Sequence, residues 1–403
     1  MPEFKFTLPA ITALNDDQQL AYDPRVPMLI TGGPGSGKTV VTIYRFLRAV
    51  LEKKHLMLFT YNRALIYSIR GTLRDRAEEL FGGFHQEQIK HVVENQLSTF
   101  YNWHHKQIKY YDAEAEEEIV KDNFESYAAE NPRFDEIFFD EGQDLPRTVY
   151  ANAFILGETI SVGADRAQNY RGHYTSDELE DTIFEGLWNQ DASTDRQYLE
   201  ANYRNTKEIF EFAKGFVPDD PRVQQMETEH LRTGNQPEVR DGLTVIEQLG
   251  MLKEIIEANQ NSNVGILVHS PEEITTIRVF LEGHQYSCHE HAPVARSFSY
   301  YYNKMSISHE KAMQIRLSSP FITTFESCKG LEFDVVILPF FEQSDRATNT
   351  KNDDGRFKAT PSHYYVAVTR AKNDFIVLCN KKPEALSFYL RVEAAGEDDD
   401  LLF

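Results

Sequence analysis

The densest chemistry in this 403-residue chain lies in Gly32-Gly33-Pro34-Gly35-Ser36-Gly37-Lys38-Thr39. The spacing fits G-x-x-x-x-G-K-[ST], and the run follows an apolar strand candidate and opens an amphipathic helix candidate. In such a loop the backbone amides converge on a phosphate, lysine reaches its outer oxygens and the hydroxyl completes a Mg²⁺ shell. Gly33, Gly35, Ser36, Gly37, Lys38 and Thr39 are therefore expected to hold ATP. A phosphate loop needs carboxylates at a neighbouring strand end, and Ile137-Phe138-Phe139-Asp140-Glu141 supplies them. Asp140 would join Thr39 on Mg²⁺, and Glu141 would polarise the attacking water as general base. Two acids after an apolar strand also suit a helix cap; next to the glycine loop, hydrolysis is the stronger reading.

Those groups need a rigid frame. Short apolar runs at 27–31, 56–61, 137–140 and 160–163 alternate with helix-length amphipathic stretches, and a second set follows at 264–269, 321–324, 335–339 and 375–379. Alternation of this kind predicts parallel sheets covered by helices, here as two tandem α/β domains, 1–195 and 196–390, with an acidic tail at 391–403. The net charge is −21, with 41% hydrophobic and 26% charged residues, an ordinary globular composition without bulk attraction for polyanions. No apolar run is long enough to cross a bilayer and no secretory segment opens the chain, so a cytoplasmic protein is expected. The three cysteines, Cys288, Cys328 and Cys379, include no Cys-x-x-Cys pair and give no disulfide framework. His284, Cys288, His289 and His291 sit close together, but no second ligand pair at finger-like spacing accompanies them.

Read in order, the motifs resemble those of superfamily 1 helicases of the UvrD/Rep type, along nearly the whole chain. Gln18 lies in a segment similar to the family's Q motif, which reads the adenine edge. Thr60, Asn62 and Arg63 fall in the motif that grips single-stranded DNA phosphates, and Thr99 to Trp103 in the next strand-contacting segment. Asp140-Glu141-Gly142-Gln143-Asp144 is the family's spelling of the metal-binding acidic motif. Asp165 to Gln168 resembles G-D-x-x-Q, whose glutamine senses the γ-phosphate, and Tyr170 and Arg171 stand where a strand-contacting turn follows. Tyr203 and Arg204 resemble a tyrosine that stacks on adenine and an arginine on the γ-phosphate. Lys329 and Glu332 lie in a T-x-H-x-x-K-G-L-E-F-D-like run, Glu332 reaching the nucleotide sugar and Lys329 the strand. Arg370 resembles a second arginine finger, a group typically worth about 10³ to 10⁵ in rate.

The resemblance implies two RecA-like P-loop domains with the nucleotide in the interdomain cleft, ATP and Mg²⁺ as cofactors, and single-stranded DNA as partner. A protein partner such as a nuclease, in DNA repair or antiviral defence, is expected as well. Departures qualify this. Only residues 104–136 and 205–328 lie where the family carries large accessory insertions, so both look absent or reduced. Val40 replaces an arginine that packs on the base, and Glu326 replaces the histidine of T-x-H-x-x-K. Residues 286–318, locally basic through Arg296, Lys304, Lys311 and Arg316 and rich in aromatics, read as a reduced insertion that lines a strand exit or forms a partner surface, or else packs on its own domain. The tail Glu397-Asp398-Asp399-Asp400-Leu401-Leu402-Phe403 suits capture by a basic pocket. Two readings stand: a translocase or helicase on single-stranded DNA, and an ATP-operated switch that controls a partner without unwinding.

Overall fold

A computed structural model describes residues 4–60, 62–108, 116–165, 168, 174, 178–288, 296–303, 305, 317–344 and 359–389. The chain divides into two compact units, Lys5–Tyr203 and a second made of Met1–Phe4 with Arg204–Phe403.

In the first unit β1 (Met28–Gly32), β2 (Leu56–Thr60), β3 (Leu97–Thr99), β4 (Phe134–Phe139), β5 (Gly157–Ala164) and β6 (Asp195–Leu199) form one sheet. Its order is β3-β2-β4-β5-β1-β6, and every pairing is parallel. Because β1 and β2 are buried along their whole length, they read as unbroken apolar runs, as strands covered on both faces do. On one side of the sheet Phe59, Phe100, Trp103, Phe124, Phe134 and Phe139 share a core with the β4 and β5 aliphatics. Each such ring contributes roughly 1.5–3 kcal/mol by leaving water.

The second unit repeats the plan with β7 (Glu238–Arg240), β8 (Val264–Val268), β9 (Ser299–Tyr301), β10 (Phe321–Thr324), β11 (Phe333–Leu338) and β12 (Ala371–Leu378). The order is β7-β12-β11-β8-β10-β9, again parallel throughout.

One expectation is corrected and one pair of alternatives is decided. The boundary expected at residue 195 would cut β6, which pairs with β1 from Met28↔Asp195 to Gly32↔Leu199, so the division falls after Tyr203. Within 286–318, Phe298, Tyr300 and Tyr301 are buried on or beside the edge strand β9, and Arg296 is bonded to Gln285 at 2.7 Å. The aromatics there pack on their own unit; Lys304, Lys311 and Arg316 lie outside the described residues, as does the acidic tail. Among the described residues no helix is long and apolar enough to cross a membrane, and no cluster of potential ligands could hold a metal in the manner of a zinc finger. His289 and His291 lie outside those residues.

Candidate nucleotide site

Parallel pairing sets the carboxyl ends of β4, β5 and β1 side by side, where open α/β sheets bind ligands. Each strand delivers one part of the site. After β1 comes the glycine loop and then the helix Lys38–Leu51, whose N-cap, Gly37, makes no side-chain cap bond. The first-turn N–H groups are left for a ligand. Gly37 sits at φ 94°, and a Cβ there would lie 2.4 Å from Gln18 Nε2, so only glycine fits. Ser36 Oγ is buried without a hydrogen-bond partner, a further polar atom of the loop unspent by the fold.

Lys38 Nζ donates to Gly32 O at 2.7 Å, Gly33 O at 2.8 Å and Asp165 Oδ2 at 3.2 Å. Directly after β4, Asp140 accepts the Thr39 hydroxyl, with Oγ1 3.1 and 3.0 Å from its two oxygens. Burial, and after it the charge of Glu141, push the Asp140 carboxyl up to about 7; the Thr39 hydrogen bond and Lys38 pull the other way. Crowded acid oxygens beside a hydroxyl are a hard donor set that a divalent cation would relieve, so the residues fit Mg²⁺ as they fit a triphosphate.

A buried relay links the acids to the lysine. Gln143 Nε2 donates to Glu141 Oε2 at 2.5 Å, while Gln143 Oε1 accepts the Asp165 amide at 2.9 Å. Gln168 Nε2 donates to Asp165 Oδ2 at 2.6 Å. Because Asp165 N can only donate, the Gln143 amide is oriented, and its N–H must face an acceptor on Glu141. The sequence motifs assign Asp165 and Gln143 no role, although Asp165 follows β5 as Asp140 follows β4.

The adenine candidates also meet. Asn15 and Gln18 form a capping box on the helix Asp16–Tyr22, and Asn15 Nδ2 donates to the Tyr203 hydroxyl at 2.5 Å. Tyr203, 55% exposed, is tied to the loop by its amide on Gly35 O at 2.9 Å. Gln18 itself is buried, and its amide already serves Asn15 N (3.1 Å) and Ser36 O (2.9 Å).

The strand-contact candidates fare differently. Asn62 and Thr99 are buried and cap the helices Arg63–Asp75 and Phe100–Gln107 through Leu65 N and Asn102 N, and Thr60 Oγ1 donates to Asn62 O. Trp103, expected to face a strand, is 5% exposed and ringed by Phe59, Phe100, Tyr127 and Phe134, so it has no stacking face to offer. Arg63 is partly exposed, and Tyr170 and Arg171 lie outside the described residues.

In the second unit Glu332 pairs with Arg204 at 3.2 Å and with Lys372 at 2.7 Å. Arg370 is 1% exposed, and its guanidinium donates to Val366 O, Leu331 O and Thr369 Oγ1, so it is held by its own unit rather than extended as a free finger. Lys329, expected on a strand, is fully buried.

The chain matches the family model of the UvrD/REP helicase N-terminal domain over residues 14–133 and that of an AAA domain over residues 179–382. It belongs to the UvrD/Rep-like superfamily 1 helicases. Solved structures similar to this helicase include the C-terminal domain of a possible DNA helicase from Lactobacillus plantarum, at 17% identity and TM-score 0.31, covering 46% of this chain and 93% of that one. Another is the PRRSV helicase, at 12% identity and TM-score 0.38, covering 88% of this chain and 52% of that one. Among curated proteins no sequence matches. The two parallel-sheet units are the helicase's tandem RecA-like domains.

Proposed function

We propose that this helicase hydrolyses ATP to ADP and phosphate at the glycine loop and uses the cycle to move along single-stranded DNA, in company with a protein partner. The observation that carries the reading is the single network joining Lys38, Asp165, Gln168, Gln143 and Glu141, with Thr39 and Asp140 beside it. Lys38 and the loop amides bind and orient the phosphates. Thr39 and Asp140 would hold Mg²⁺, which supplies charge against the phosphate oxygens. Glu141, kept as an acceptor by Gln143, orients the attacking water and takes its proton. Arg204, Arg370 and Glu332 are the second-unit groups that the resemblance assigns to the nucleotide. Both arginines now have acceptors in their own unit, so their service to a phosphate requires exchanging those partners.

The alternative, an ATP-operated switch acting on a partner such as a nuclease, is favoured by one specific observation. Thr60, Asn62, Thr99, Trp103 and Lys329 are buried, with Asn62 and Thr99 capping helices and Trp103 in the core. The deciding measurement is the ATPase rate with and without single-stranded DNA, with Lys38→Ala and Glu141→Gln as blanks. Each blank is expected to lower kcat by about 10²-fold or more. Strong stimulation by the strand supports the motor, and a rate indifferent to DNA supports the switch. Hydrolysis that survives both substitutions would overturn the site.

A further inference from the structure

Glu141 stands in the left-handed region at φ 60°, ψ 46°, a conformation that costs a non-glycine residue about 1–2 kcal/mol. Strain of this kind persists where the surroundings hold it. What holds it is the 3₁₀ turn Gly142–Asp144 that follows, and that turn is gripped by tyrosine hydroxyls from separate elements. Tyr150, at the end of the helix Arg147–Tyr150, donates to Gly142 O at 2.6 Å. Tyr174 donates to Leu145 O at 2.7 Å, and Tyr101 reaches Asp144 O at 3.4 Å. Tyr150 is fully buried, and burial drives its pKa well above the ordinary value, so its hydroxyl stays protonated and can donate. The fit is close: a Cβ on Gly142 would lie 2.9 Å from the Tyr150 oxygen and 2.4 Å from Val162 Cγ1.

One tyrosine finding one carbonyl satisfies a buried hydroxyl and says little. Here the hydroxyls converge on carbonyls of the turn that carries the acid and of the residue that closes it, while Gln143 within that turn orients the acid's carboxylate. We propose that Tyr150 and Tyr174 are positioning residues for ATP hydrolysis, their hydroxyls fixing the Glu141 turn so that the carboxylate meets the attacking water. The proposal rests on the reading of Glu141 as general base. Loss of the hydroxyls lets the turn relax, and a displacement of about 1 Å at a reacting group lowers rate by as much as ~10²-fold.

The test uses the full chain with Tyr150→Phe, Tyr174→Phe and the double variant, each made alone and in a Glu141→Gln background. kcat and KM for ATP hydrolysis are measured beside the affinity for a fluorescent ATP analogue. The double variant is expected to lose roughly 10-fold or more in kcat at unchanged affinity, each single variant less. In the Glu141→Gln background the tyrosine changes should then cost nothing further, because the group they position is gone. Equal losses with and without Glu141, a loss seen in affinity alone, or an unchanged kcat overturns the proposal. Should the double variant fail to fold, the single variants carry the same comparison. If Glu141→Gln itself hydrolyses ATP at the wild-type rate, the general-base reading falls and takes this one with it.

Discussion

β1 and β8 are five-residue strands, buried throughout, each inside a parallel sheet and each feeding a helix through a short turn. Their turns solve the helix N-terminus in opposite ways. After β1, Gly37 offers no side-chain cap, and the orphan amides stay available. After β8, Ser270 Oγ accepts Glu273 N, and Glu273 Oε2 reaches back to His269 N at 2.8 Å and Ser270 N at 3.2 Å. The second unit thus fills with its own carboxylate the place that the first leaves open. A strand, a turn and a helix do not make an anion site; leaving the amides unspent does.

Three changes press on that contrast. The largest effect is expected from Gly37→Ala, which forces a left-handed alanine and sets its Cβ against Gln18 Nε2. Affinity for ATP should fall about 10- to 100-fold in a fluorescent-nucleotide titration, since ~1.4 kcal/mol is a factor of ten. Retained affinity would mean that the open cap is not what binds.

The plug after β8 carries its own pH signature. Burial, opposed by the two backbone donors and helped by Glu342 and Glu272, raises the Glu273 pKa from 4.5 to about 7. The protonated form therefore favours the folded state: its contribution is complete below about pH 4.5 and is lost as pH rises through 7. Wild type should lose up to roughly 2–3 kcal/mol of stability across that window. Glu273→Gln should flatten the dependence, read as denaturation midpoints between pH 4.5 and 8. A parallel pH dependence in both proteins counts against the plug. The smallest effect belongs to Ser270→Ala, a cap loss of about 1 kcal/mol in the same denaturation experiment, with ATP affinity unchanged.

The glycine loop and its acids were legible because the chemistry is local: loop, strand end and helix start lie within a few residues, and the backbone needs of a phosphate dictate the types. Asp165 and Gln143 were present in recognised motifs, but their partners come from other strands, and no local pattern pairs them with Lys38 and Glu141. Trp103 shows the reverse failure. An aromatic in a strand-contacting motif reads as a stacking platform until the fold places Phe59, Phe134 and Tyr127 around it. The strands missed in the sequence, β3, β6, β7 and β9, are the outermost of their sheets. Pairing on one side only, β6 can be Asp195-Arg196-Gln197-Tyr198-Leu199 with a single buried residue, which no apolar run announces. The same polar run hides that residues 195–199 belong with β1, so a boundary at 195 falls too early.

The seating of Lys38 bears on how the cycle turns over. An ammonium has three protons to give, and all three already have oxygen partners: two carbonyls of its own loop and one carboxylate. Under the proposed function an incoming phosphate exchanges partners with this cation instead of capturing a loose one, and the heat released on loading is a difference between two coordinated states.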